Sequence, residues 1–170
     1  MPLILPPTVT GYLLMVVWGR NGLLGSIIYS ATGFSFMFTW FGALLAASVV
    51  SFPIVFKGVR AAVESVDNSF IESSFMLGKG EVETFFKITL PLAWKGIAAA
   101  SLLTFARALG EFGAPLMIAG NIEGKTATMP LAIYSYSVDG NDRAAAFMVA
   151  VLVLSSLFSI WLIKKISVRK

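Results

Sequence analysis

The sequence predicts an all-α, polytopic helical membrane protein, with about four transmembrane helices and a polar helical loop between two of them. Three observations carry this. Of the 170 residues, 57% are hydrophobic and only 13% are charged, against about 25% charged in a soluble domain. The apolar residues fall in long runs, as a bilayer-crossing helix of about 20 residues demands. One long stretch departs from that pattern, residues 71–92, and it lies between two such runs. The whole chain, 1–170, reads as one membrane domain.

Composition also narrows the chemistry. There is no cysteine and no histidine, which excludes disulfides, Cys/His metal sites, thiol nucleophiles and the usual general base. No metal site is expected. No glycine-rich GK[ST] phosphate loop occurs, so any ATP hydrolysis must come from a partner. The net charge of +4 reads as membrane orientation before nucleic-acid affinity, and no nucleic-acid partner is expected. Met1-Pro2-Leu3-Ile4 carries no basic n-region, so a signal peptide is not expected.

Residues 1–19 carry no charged side chain and form the first predicted span, with Pro6 and Pro7 expected to kink it. Gly11 allows close packing, and Thr8 and Thr10 stand near the carbonyls that the prolines free. Residues 20–35 are too broken to span and predict an outer loop with an interfacial helix. Tyr29, Phe34 and Trp40 suit a membrane interface. Residues 36–56 hold 21 positions without a charge and form the second span. Its small residues, Gly42, Ala46, Ala47, Ser48 and Ser51, let membrane helices approach closely. Lys57 and Arg60 are expected to close it. Residues 57–95 form a loop. Residues 96–119 form the third span and carry the only in-span charges, Arg107 and Glu111, at a spacing that lets them pair. Residues 120–143 form a second outer loop, with a short helix from Met129-Pro130 to Tyr136. The turn at Asp139-Gly140-Asn141-Asp142 lacks the terminal Glu of an EF-hand. Residues 144–163 form the last span.

The loop has internal order. Asp67, Asn68 and Ser69 offer helix N-caps, and Gly78 and Gly80 a break between two short helices. After the break Val82, Phe85, Phe86, Thr89 and Leu90 recur at the spacing of an amphipathic helix face. Glu83 and Lys87 stand four apart on the polar side. Pro91 is expected to end that helix or start the next.

Orientation follows from charge. Lys57, Arg60, Lys79, Lys87, Lys95, Lys164, Lys165, Arg169 and Lys170 gather on the side of the loop and the C-terminus; Arg20, Lys125 and Arg143 lie on the other. The positive-inside rule makes the first side cytoplasmic, with Met1 also inside.

The loop residues Glu72-Ser73-Ser74, Gly78, Ile88 and Leu90-Pro91 resemble the EAA motif of bacterial ABC importer membrane subunits. The spacing matches throughout, with Ser-Ser where that motif has Ala-Ala. The runs PLILPPTVTGYLL, GRNGLLG, FARALGEFGAPLMIAGNI and TATMPLAIYS extend the resemblance over nearly the whole chain. Together they resemble permease subunits of molybdate/tungstate importers, with sulfate permeases close by. The resemblance implies a type I importer permease fold in the cytoplasmic membrane of a prokaryote, with the C-terminus cytoplasmic and lipid around the helices. It implies a second permease copy, an ATPase subunit dimer that holds ATP and Mg and docks on the loop, and an extracytoplasmic oxyanion-binding protein. No cofactor is expected on this chain itself. Members of that family carry a further N-terminal span, so the sequence is expected to be either a piece lacking it or a short variant.

The resemblance and the residue chemistry together assign roles. Glu72 is expected to cap or salt-bridge the short helix. Phe75, Met76 and Leu77 would present apolar contact to the ATPase groove. Gly78 would permit a conformation or approach that a side chain obstructs. Pathway candidates are Pro6 and Pro7, whose unwound section could line the path, and Thr8, Ser48, Ser51, Ser101 and Thr104, whose hydroxyls could meet an oxyanion or simply bond their own helices. Arg107 and Glu111 either shape the path or form a structural pair. The alternatives are a permease for sulfate or another anion, or a membrane scaffold or sensor subunit whose loop binds some other cytosolic protein. A membrane-embedded enzyme is disfavoured by the missing His and Cys.

Overall fold

The computed structural model describes residues 5–168, and among these residues there is no strand. The start of the first predicted span, Met1 to Ile4, and the cations Arg169 and Lys170 lie outside the described residues. Among the described residues nine helices follow in order: α1 (Pro7–Trp18), α2 (Gly25–Thr32), α3 (Trp40–Glu64), α4 (Asn68–Met76), α5 (Glu81–Thr84), α6 (Leu90–Leu109), α7 (Gly113–Ala119), α8 (Met129–Val138) and α9 (Asp142–Val168). A π turn, Phe85–Thr89, joins α5 to α6. Among the described residues three helices are long and apolar enough to cross a membrane: α3, the continuous helix from Glu81 to Leu109, and α9.

Several predicted boundaries are corrected. Pro6 and Pro7 do not kink a span. They stand at the N-cap and first position of α1, where a missing N–H costs nothing. Thr10 Oγ1 and its backbone N–H both donate to the Pro6 carbonyl, at 3.4 and 3.1 Å. At 12 residues α1 is only about 18 Å long, short of a bilayer core of about 30 Å. The second span starts at Trp40 rather than residue 36, because Thr39 Oγ1 accepts from the Gly42 N–H at 3.3 Å and caps α3. It then runs past Lys57 and Arg60 to Glu64. Nothing in that stretch breaks a helix, and Arg60 Nε donates to Glu64 Oε1 at 2.7 Å.

The third span, predicted at 96–119, ends at Leu109. Gly110 and Gly113 lower helix propensity on either side of Glu111 and Phe112, and the chain restarts as α7. There Pro115 sits in the first turn, whose N–H groups have no helical partner in any case. Arg107 and Glu111 therefore straddle a break instead of lying inside a span. The interfacial helix predicted within residues 20–35 is present as α2, and the short helix predicted from Met129 to Tyr136 is present as α8, which runs on to Val138.

The chain packs as two compact units. The first takes in the described residues up to Pro53 together with Ala106–Leu157. Its core is Leu14, Ala46, Ala114, Ile118 and Ala119, with Trp18 and Met37 packed against it. Gly11 makes this possible: a Cβ there would stand 2.8 Å from both Ala114 Cα and Met117 Cβ, so α1 and α7 touch backbone to backbone. Phe38, with φ of 56°, donates its N–H to the Ile118 carbonyl at 3.1 Å.

The second unit takes in Ile54–Phe105 together with the described residues from Phe158 on. Here α3 and α6 meet through small residues. A Cβ on Gly58 would fall 2.6 Å from Ala100 Cβ, and one on Gly96 would fall 2.6 Å from Ala62 Cβ. Two Gly-x-x-x-Ala segments thus face each other antiparallel. Such packing is what holds helices together where lipid removes the hydrophobic drive between them.

Candidate functional site

The polar loop is a built object in the second unit. It starts where Asp67 Oδ1 accepts from the Ser69 N–H at 2.9 Å and caps α4. That hydrogen bond holds the Asp67 carboxyl below its usual value. The cap predicted among Asp67, Asn68 and Ser69 is therefore Asp67. Glu72 is exposed and takes neither predicted role: it is in none of the described ion pairs and caps nothing.

At the other end α4 stops in a Schellman motif. The Gly78 N–H donates to Phe75 O at 2.9 Å and the Lys79 N–H to Ser74 O at 3.2 Å. Gly78 stands at φ 76°, the left-handed region that favours glycine. A Cβ there would meet nothing within 4 Å. Backbone conformation, not space within this chain, is what requires glycine.

The turn brings α4 back against α5. Ser74 Oγ and Thr84 Oγ1 lie 2.8 Å apart, with only 1% and 2% of the two residues exposed. Ser73 faces outward. Glu83 Oε1 accepts from Lys87 Nζ at 2.8 Å, the pair expected from their spacing, and also from Lys79 Nζ at 2.6 Å.

Pro91 is the second residue of α6, yet it does not break the continuous helix from Glu81 to Leu109. The helix runs through it because the π turn precedes it: the Leu90 N–H donates to Phe85 O, five residues back. A proline ring clashes with the carbonyl four residues before it, here Lys87, and the wider turn relieves that clash. The extra residue also shifts the helical register. Buried positions are Thr84, Thr89 and Ala93, while Val82, Phe85 and Phe86 of the expected apolar face are exposed. Ile88 and Leu90 are half-buried and Pro91 is exposed.

The outward face of α4 and its end is apolar. Phe70 and Phe75 are exposed, Met76 is 88% exposed and Leu77 79%.

The pathway candidates fall in both units. Thr8 packs its Cγ2 near Gly113. Ser48 is exposed on α3, and Ser51 is buried with its hydroxyl lacking a hydrogen-bond partner. Ser101 and Thr104 return their hydroxyls to the carbonyls of Ile97 and Ala100, at 2.9 and 2.7 Å, the bland option for a helix hydroxyl. Arg107 and Glu111 do pair, at 2.9 Å. Sequence reasoning missed Thr84, the partner of Ser74, for which no spacing rule exists. It also missed Lys79–Glu83, which the four-residue spacing could have revealed.

Long apolar helices interrupted by a capped, glycine-turned polar loop define a multi-pass helical membrane protein. The chain belongs to the family described as binding-protein-dependent transport system inner membrane component, which it matches over residues 1–170. It is 42% identical over 170 residues to the molybdenum transport system permease protein ModB of Haemophilus influenzae, covering 97% of this chain and 74% of that one. It is 44% identical over 167 residues to the ModB protein of Escherichia coli, covering 95% and 73%. A "Probable sulfate transport system permease protein cysT" of Chlorella vulgaris is 35% identical over 170 residues, covering 100% and 64%.

Proposed function

We propose that the chain is the permease subunit of an ABC importer that carries molybdate across the cytoplasmic membrane. Two permease copies form the path, an extracytoplasmic binding protein delivers the oxyanion, and an ATPase dimer docks on the loop from Asp67 to Thr89. ATP and Mg belong to that partner. The docking loop carries the reading: α4 is capped at Asp67, turned at Gly78 and tied to α5, and it presents Phe75, Met76 and Leu77 outward. A rigid apolar knob is what a helix-in-groove contact requires. By the positive-inside rule, the cations Lys57, Arg60, Lys79, Lys87, Lys95, Lys164 and Lys165 favour a cytoplasmic loop within reach of an ATPase.

Molybdate is favoured because relatives named for molybdenum transport are 42–44% identical, above the 35% of the relative named for sulfate. The test is co-purification with the ATPase subunit, followed by ATP hydrolysis measured with and without molybdate and binding protein. Molybdate-stimulated hydrolysis is expected. Stimulation by sulfate alone would transfer the reading to a sulfate permease. An inserted chain that recruits no ATPase would make it a scaffold.

A further inference from the structure

The Ser74–Thr84 contact joins the outward-facing docking helix to the foot of a membrane helix. Both hydroxyls are buried, 2.8 Å apart, and each can donate and accept. Thr84 is the last residue of α5, directly before the π turn that leads into α6. Ser74 is held twice. Its carbonyl accepts the Lys79 N–H that closes the end of α4, and its hydroxyl meets Thr84. The four residues between the helices, 77–80, include Gly78 and Gly80 and offer little stiffness of their own. On the outside, Glu83 is bound from both sides by Lys79 and Lys87. The Lys87 pair is exposed and the Lys79 pair part-buried, and water that reaches Glu83 in both screens them. The buried hydroxyl pair is the directional link between α4 and α5.

We propose that Ser74 and Thr84 are positioning residues that clasp the docking helix onto the membrane helix, so that displacement of α4 by the ATPase is passed to α6. This rests on the permease reading given above. A lost clasp would leave α4 able to bind the ATPase but free to pivot at Gly78. Hydrolysis would then continue with less transport per ATP. A single substitution leaves one buried hydroxyl without a partner, which is worse than removing both.

The test uses the full chain with Ser74→Ala, Thr84→Val, and the exchanged pair Ser74→Thr with Thr84→Ser, which keeps both hydroxyls and the total volume. Two readouts are taken. The first is hydrogen exchange over residues 68–89 in the detergent-solubilised chain, which needs no transport activity. Each single variant should exchange about fivefold faster there, the factor matching one net hydrogen bond, and the exchanged pair should return towards wild type. The second is molybdate moved per ATP in vesicles carrying the assembled transporter. The single variants should still bind the ATPase but move less molybdate per ATP, and the exchanged pair should recover. Unchanged exchange in the singles overturns the clasp. Faster exchange with an unchanged transport ratio overturns its positioning role. A wild-type assembly that moves no molybdate overturns the permease reading, while the exchange data still decide the clasp.

Discussion

Arg107 Nη1 donates to Glu111 Oε2 at 2.9 Å across the break between α6 and α7. The pair is lopsided: the Glu111 side chain is 2% exposed and that of Arg107 45%. The carboxylate is therefore the member that depends on its partner. Removing Arg107 strands a buried charge, whereas neutralising Glu111 leaves a cation whose side chain is already nearly half exposed. Arg107→Ala should cost about 2 kcal/mol, between the values for buried and surface pairs, and Glu111→Gln less. Thermal unfolding in detergent checks the order. Equal losses would mean that the pair is not what holds the break.

Gly58 and Gly96 offer a second test. Each faces an alanine at a distance that leaves no room for a side chain. Gly58→Leu or Gly96→Leu should overpack the α3–α6 contact and cost roughly 1–3 kcal/mol. Gly80→Ala, where a Cβ meets nothing within 4 Å and φ is −76°, should leave stability nearly unchanged. Detergent unfolding midpoints report both.

At Gly78 the constraint is backbone conformation. Alanine at φ 76° should cost about 1 kcal/mol in the turn, and valine more. Asparagine, which tolerates the left-handed region, should be milder. Molybdate-stimulated ATP hydrolysis should fall in the order Gly, Asn, Ala, Val while membrane insertion is retained. A bulky variant with full stimulation would remove the loop from the coupling mechanism.

The sequence contains no cysteine, so single cysteines report sidedness without background. Lys79→Cys should react with an impermeant reagent only from the cytoplasmic side, and Asn141→Cys only from outside. The reverse pattern would invert the topology drawn from the cations.

What was legible in the sequence were features with a local cause. Gly78 as a turn, Glu83–Lys87 as a pair, α8 after Met129-Pro130 and the apolar runs of α3 and α9 follow from propensity and spacing. Features with a tertiary cause were not. The Pro91 helix survives because a π turn absorbs the clash, and a proline alone signals only a break. The same added residue turned Val82, Phe85 and Phe86 outward, which a uniform helical period cannot show. The Arg107–Glu111 spacing was readable, but the break between them depends on Gly110, Gly113 and Pro115 acting together. Phe38 at positive φ has no sequence signal, since that region favours glycine or asparagine. Gly58-x-x-x-Ala62 and Gly96-x-x-x-Ala100 were in plain view and identifiable as small-residue packing segments.

ATP-driven molybdate uptake into vesicles that contain this chain, an ATPase subunit and a binding protein is the most direct test of the proposed permease role. Molybdate should accumulate only with ATP, a large excess of sulfate should displace little of it, and Gly78→Val should abolish uptake without dissociating the ATPase. An assembled, inserted complex that hydrolyses ATP but moves no molybdate would contradict it.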